Sequence, residues 1–194
     1  MSSKFRVPKA EITGAYGKAL TVYARRAFGQ IPDNAYVLWH NPKVLKSVFK
    51  FEQKVAKYDA LDPNLKTFAQ LASAGVIGCS WCLDLGYFLA HNDGLDVAKA
   101  REVPRWRESE VFTDLERDVM EYAEAMSATP PTVTDWMVDK LTDQLGVPAI
   151  VELTMMVAIE NQRSRFNAAM GLESQGFSDV CELPLARATS SSTG

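Results

Sequence analysis

Apolar residues recur at helical spacing along most of this chain, and no stretch of it reads as a strand. Ala15, Ala19, Leu20, Val22, Tyr23 and Phe28 predict a helix over Gly14 to Phe28, with Lys18, Arg25 and Arg26 mostly off that face. The run Gly29-Gln30-Ile31-Pro32 breaks the pattern, and Asp33 or Asn34 can cap a short helix reaching Trp39. Asn41 suits an N-cap and Pro42 a first helical position, ahead of Val44, Leu45, Val48, Phe49, Phe51 and Val55; this helix is expected to run to about Tyr58. Asp62-Pro63 repeats the signal before Leu65, Phe68, Ala69, Leu71, Ala72 and Val76.

After a break near Gly78 a second apolar helix starts at about Cys79, carries Cys82, Leu85, Phe88 and Leu89, and stops at Asn92-Asp93-Gly94. Leu95 to Ala100 predicts one short helix. Pro104 interrupts the pattern over residues 103–107, which read as an ordered loop whose Trp106 must find cover. Thr113 and Glu116 form a capping box opening the helix with Leu115, Val119, Tyr122, Ala123 and Met126. Thr129-Pro130-Pro131 is a rigid stop. Two further helices follow, over residues 132–145 and 148–170, the second being the longest pattern and ending at Gly171. The expectation is an all-α bundle of about eight or nine helices, one domain over residues 1–186, centred on the helices that flank Gly78. Residues 187–194 lack apolar anchors and are expected to be a mobile tail.

Charge narrows the partners. The 194 residues carry 21 basic and 24 acidic side chains, net −3, so there is no broad positive field to hold a phosphate backbone. A small or neutral partner fits better than nucleic acid. The longest uncharged run, residues 67–83, is shorter than a span of about 18 residues and is broken by Gln70, serines and glycines, so it predicts a buried helix rather than a membrane segment. Residues 1–9 contain no apolar stretch of signal-peptide length; a cytoplasmic protein is expected.

Chemistry concentrates in Gly78-Cys79-Ser80-Trp81-Cys82-Leu83-Asp84-Leu85, which holds two of the three cysteines at Cys-x-x-Cys spacing. Positions three apart share a helix face, so the sulfurs can meet in a disulfide. A thiol in a first helical turn sees unpaired N–H groups, which favour the thiolate. Three readings stand for the pair: a redox centre, two small buried residues, or metal ligands. A closed zinc site needs about four ligands, and the chain's two histidines are at no metal spacing, so no metal is expected. Trp81 can line a pocket or shield the core. Cys181, far along the chain, reads as a bystander.

Taken with Leu61-Asp62-Pro63 and with Glu160-Asn161-Gln162-Arg163-Ser164-Arg165-Phe166-Asn167, the cysteine motif resembles the carboxymuconolactone decarboxylase superfamily, in its alkyl hydroperoxidase D-like branch. The resemblance covers residues 40–172, roughly. It implies an all-α fold assembling as trimers or hexamers, no cofactor, and a cysteine pair cycling between dithiol and disulfide. Carried over, Cys82 is the peroxide-attacking thiol and Cys79 the resolving one, with an external dithiol as reductant. The superfamily's name implies the alternative of a cofactor-free lactone decarboxylase, and a degenerate, non-enzymatic helical oligomer is a third reading.

One part of that pattern is missing. The branch places a glutamate twelve residues before the first cysteine and a histidine four after the second, where this chain has Thr67 and Gly86. Such groups take and return the thiol's proton, a contribution of roughly 10² to 10⁴ in rate. Asp84 and Glu160 are the candidate stand-ins or site supports. Asp84 lies about 200° round the helix from Cys82, and His91 about 180°. Glu160 interrupts an apolar stripe, so it needs a partner such as Arg163 or Arg165. His40 can reach the pair only through tertiary packing.

Overall fold

A computed structural model describes residues 3–181 and 185–186. The expected tail at 187–194 lies outside them. Among the described residues the chain is all-helical: α1 (Gly14–Phe28), α2 (Asp33–Leu38), α3 (Pro42–Val55), α4 (Pro63–Ile77), α5 (Ser80–Asn92), α6 (Val97–Ala100), α7 (Asp114–Ser127), α8 (Asp135–Leu145) and α9 (Val147–Met170), with single 3-10 turns at Val103–Arg105 and Phe177–Val180.

The start signals act as the sequence suggests. Asn41 Oδ1 accepts the Val44 N–H at 3.3 Å, and Asp62 Oδ1 accepts those of Asn64 and Leu65 at 2.8 and 3.3 Å. Thr113 and Glu116 close a capping box at the start of α7. Several boundaries differ from expectation, among them the start of α6 at Val97 rather than Leu95. α3 ends at Val55, and the chain continues to Tyr58 as a turn in which the Tyr58 N–H bonds Val55 O. α2 has Asp33 as its first residue, and neither Asp33 nor Asn34 caps it: the Asp33 carboxylate takes Lys9 Nζ at 3.1 Å, and its N–H goes to Gln175 Oε1 at 2.6 Å. α8 starts at Asp135, since Thr134 is its N-cap. The loop at 103–107 holds a 3-10 turn, and Trp106 finds cover with its Nε1–H on Glu124 Oε1 at 2.8 Å.

α4 is the central helix. It packs most extensively against α7 and α9, and its C-terminal end meets α5. Phe68, Ala69, Leu71 and Ala72 of α4 join Val119, Met120 and Ala123 of α7 and Leu153 and Val157 of α9 in the main core. A second cluster lies at the α4–α5 junction, where Ala74, Cys79, Trp81, Cys82 and Phe88 pack with Val37, Leu172 and Phe177. The cysteine pair lies in this smaller core. No described helix is long and apolar enough to cross a membrane.

Candidate active site

The turn that presents the cysteines depends on Gly78. It ends α4 at φ +82°, a left-handed conformation that a side chain would strain, and its N–H and that of Cys79 both return to Ala74 O. α5 therefore begins at once, with Cys79 as its N-cap. The Cys79 sulfur fills the acceptor role usually taken by an oxygen, receiving the Cys82 N–H at 3.2 Å. Cys79 and Cys82 are joined as a disulfide, their Cα atoms 5.3 Å apart, and both are buried.

Cys82 faces α9. Ser164 Oγ lies 3.3 Å from its sulfur and Asn167 Nδ2 3.4 Å. Ser164 Oγ is also 2.7 Å from Glu160 Oε1, so the chain Cys82, Ser164, Glu160 is continuous within hydrogen-bond reach. Glu160, Ser164 and Asn167 are all buried, spaced four and three residues apart along one face of α9. Burial pushes the Glu160 carboxyl up, and the opposing pull of Arg163 and of the Ser164 hydroxyl is too weak to cancel it. Arg163 is its ionic partner, Nη1 to Oε2 at 3.4 Å, and also pairs with Glu52 of α3 through Nε at 2.9 Å. Arg165 turns elsewhere, to Ser127 O and Thr129 Oγ1.

Asp84 points away from the sulfurs, as its helical phase requires. Its Oδ2 accepts from Ser174 Oγ and from the N–H groups of Gln175, Gly176 and Phe177 at 2.8–3.1 Å, and its Oδ1 from the N–H and hydroxyl of Ser178. Burial pushes its carboxyl up, but those donors outweigh that and hold it below the ordinary value of 3.8. Asp84 is thus the anchor of the segment after α9, and the bonds described for it lead there rather than to Cys82. Trp81 is buried rather than exposed to a pocket: its ring meets Phe177 edge-on and its Nε1–H bonds Gln175 Oε1 at 2.9 Å.

The two empty relay positions have different settings. A Cβ at Gly86 would lie 3.1 Å from Leu71 Cδ2, so this position brings α4 and α5 close together where the branch carries a histidine. Thr67 lies within α4. His40 bonds Pro8 O at 2.7 Å and His91 the side chain of Asn92, so the bonds described for the two histidines lead away from the cysteine pair. Cys181 is buried in the main core; burial and then the Asp84 charge push its thiol up.

Ser164, Asn167 and Glu52 are the parts of this arrangement that sequence reasoning did not single out. Their signal was present for two of them, since positions 160, 164 and 167 follow helical spacing. Glu52 reaches Arg163 across 111 residues of sequence, and no local pattern announces that.

Comparison with known proteins follows the same lines. Residues 42–125 match the model of the carboxymuconolactone decarboxylase family, so α9 lies outside the matched stretch. Uncharacterized protein YnjA of Escherichia coli (strain K12) is 34% identical over 128 residues, which are 66% of this chain and 69% of that one. Among solved structures, an uncharacterized peroxidase-related protein of Ralstonia eutropha JMP134, described as an alkylhydroperoxidase AhpD core, superposes with TM-score 0.76 at 13% identity, over 89% of this chain and 94% of that one. A cysteine-to-alanine variant of the debrominase Bmp8 in complex with 2,3,4-tribromopyrrole gives TM-score 0.76 at 16% identity, over 90% and 95%. At such identities these likenesses speak for the fold.

Proposed function

The chain belongs to the carboxymuconolactone decarboxylase family and has its alkyl hydroperoxidase D-like fold, and from that premise we propose that it is a thiol-dependent peroxidase working through Cys79 and Cys82. The observation that carries the reading is the setting of one sulfur. Cys82 is bonded to Cys79 on one side and faces the polar atoms of Ser164 and Asn167 on the other, in the first turn of α5. The N-terminal N–H groups of a helix favour negative charge there.

The chemistry balances without a cofactor. The Cys82 thiolate attacks one oxygen of a hydroperoxide, the O–O bond breaks, and the alkoxide leaves as alcohol after taking one proton. Cys82 is then a sulfenic acid. Cys79 displaces its hydroxyl, releasing water and forming the disulfide, and an external dithiol returns both cysteines to thiols while becoming a disulfide itself. Asn167 Nδ2 would hold the Cys82 sulfur in place as charge develops. The family name also covers decarboxylation of lactone acids; the Cys79–Cys82 disulfide, with Ser164 and Asn167 against the Cys82 sulfur, favours the thiol reading.

The test is turnover of small organic hydroperoxides by the reduced protein with dithiothreitol as donor. Turnover that disappears in Cys82→Ser supports the reading, and a panel with no turnover sinks it. 2,3,4-Tribromopyrrole serves as a further arm: bromide release without peroxide turnover would assign the pair to reductive debromination instead. Assembly into trimers or hexamers is part of the same proposal, to be read from the solution mass.

A further inference from the structure

Cys82 must lose a proton before it attacks, and the leaving oxygen must gain one. The glutamate and histidine that serve this in the branch are Thr67 and Gly86 here. Resting on the peroxidase reading, we propose that a different relay, built wholly from α9, serves the site: the Ser164 hydroxyl passes the Cys82 proton to the Glu160 carboxylate and returns it to the leaving alkoxide.

The geometry fits a hydroxyl's capacities. A serine Oγ has one proton to give and two lone pairs, so it can donate to Glu160 Oε1 at 2.7 Å while facing the Cys82 sulfur at 3.3 Å. When the thiol ionises, its proton goes to Ser164 Oγ as the Ser164 proton goes to Glu160, leaving a thiolate, a hydroxyl now donating to it, and a neutral carboxylic acid. The reverse shift delivers one proton to the alkoxide. No proton is created or lost. Ser164 touches the reacting sulfur, whereas Glu160 acts only through it.

The surroundings suit this exchange. Ser164 is fully buried and Glu160 nearly so, which shields the path from bulk water. The groups facing the Glu160 carboxylate are Arg163 on α9, Glu52 of α3 behind Arg163, and the Cys82 sulfur of α5 through Ser164. Burial raises the carboxyl towards the thiol's range, so proton transfer between them is closer to balanced. The Arg163 guanidinium limits that rise and fixes the carboxylate through its bond to Oε2, while Asn161 is engaged separately with Ser73 and Ser127.

The experiment compares the reduced wild type with Ser164→Ala, Ser164→Thr and Glu160→Gln, each checked for helicity and thermal unfolding. Two readouts are taken against pH: the rate of peroxide consumption, and the rate of Cys82 alkylation by iodoacetamide, which needs a thiolate but no peroxide chemistry. The relay predicts a bell-shaped peroxide profile in the wild type, since the active form holds one proton between two coupled groups. It predicts a monotonic rise in Glu160→Gln, a loss of roughly 10² to 10⁴ near neutral pH in Glu160→Gln and Ser164→Ala, and recovery towards the wild-type rate in Ser164→Thr, which keeps the hydroxyl. Wild-type rate and profile in Ser164→Ala would overturn the relay, and so would loss in Ser164→Thr equal to that in Ser164→Ala. If Glu160→Gln does not fold, the two Ser164 variants decide alone. Two-step alkylation of Cys82 that becomes one-step in Glu160→Gln, with no peroxide consumed by any form, would uphold the coupling and reject the peroxidase reading.

Discussion

Asp84 Oδ1 accepts two hydrogen bonds from Ser178, one from its N–H at 2.8 Å and one from its hydroxyl at 2.7 Å. With the four bonds to Oδ2, this carboxylate fastens residues 174–178 across the start of α5 and so covers the cysteine turn. Asp84→Asn places an amide N–H among donors, and the expected loss is about 2–4 kcal/mol of stability. Because the folded carboxyl titrates below its ordinary value, the wild type holds this contribution above about pH 4 and loses it as pH falls through the folded pKa. Urea unfolding from pH 3 to 7 should show that slope in the wild type and a flatter line in the variant.

Gly171 ends α9 at φ +73°, and a Cβ there would lie 2.5 Å from Lys4 O. The Lys4 and Arg6 N–H groups bond Gly171 O and Met170 O, so the amino-terminal segment lies against this helix end. Gly171→Ala should cost about 1–2 kcal/mol through the left-handed backbone alone and displace that segment. Limited proteolysis should then cut within residues 3–9 faster than in the wild type.

Asp62 accepts two N–H groups at the start of α4, the helix that carries the cysteine turn at its other end. Asp62→Ala should cost about 1 kcal/mol, a fall in melting temperature of about 2–4 °C for a chain of this size. Peroxide turnover below the transition should be unchanged, since nothing near Cys82 moves.

Gly86→His restores the residue type that the branch carries at this spacing, yet the added Cβ meets Leu71 at 3.1 Å. Overpacking of about 1–3 kcal/mol outweighs the gain of about 0.5–1 kcal/mol from removing a helix glycine. The variant should melt lower and show no faster turnover; a stable, faster enzyme would mean that α4 and α5 can separate to admit the ring.

The helices were legible because their signals are local. Asn41-Pro42, Asp62-Pro63 and the Thr113/Glu116 box each act within one turn, and the boundaries they mark agree with the structure. Where distant groups take over, the reading slipped: Lys9 holds the Asp33 carboxylate that was expected to cap α2, and Gln175 of the segment after α9 takes the Asp33 N–H. The cysteine pair was equally local, and so was the direction of Asp84 away from it. Its burial under five residues from beyond α9 was not, because that contact spans 90 residues and more. Glu160 stood out as a carboxylate within an apolar stripe, but its hydroxyl intermediary Ser164 faces Cys82 only through tertiary packing across 82 residues. Trp81 had two readings from sequence, and Phe177 and Gln175 decide it as core.

The most direct measurement of the central claim is mass spectrometry of the reduced protein after one equivalent of hydroperoxide, with dimedone present to trap sulfenic acid. The account predicts a Cys79–Cys82 disulfide in the wild type and a dimedone adduct on Cys82 in Cys79→Ser. An adduct confined to Cys79 in Cys82→Ser, or cysteines left as thiols in the wild type, would contradict it.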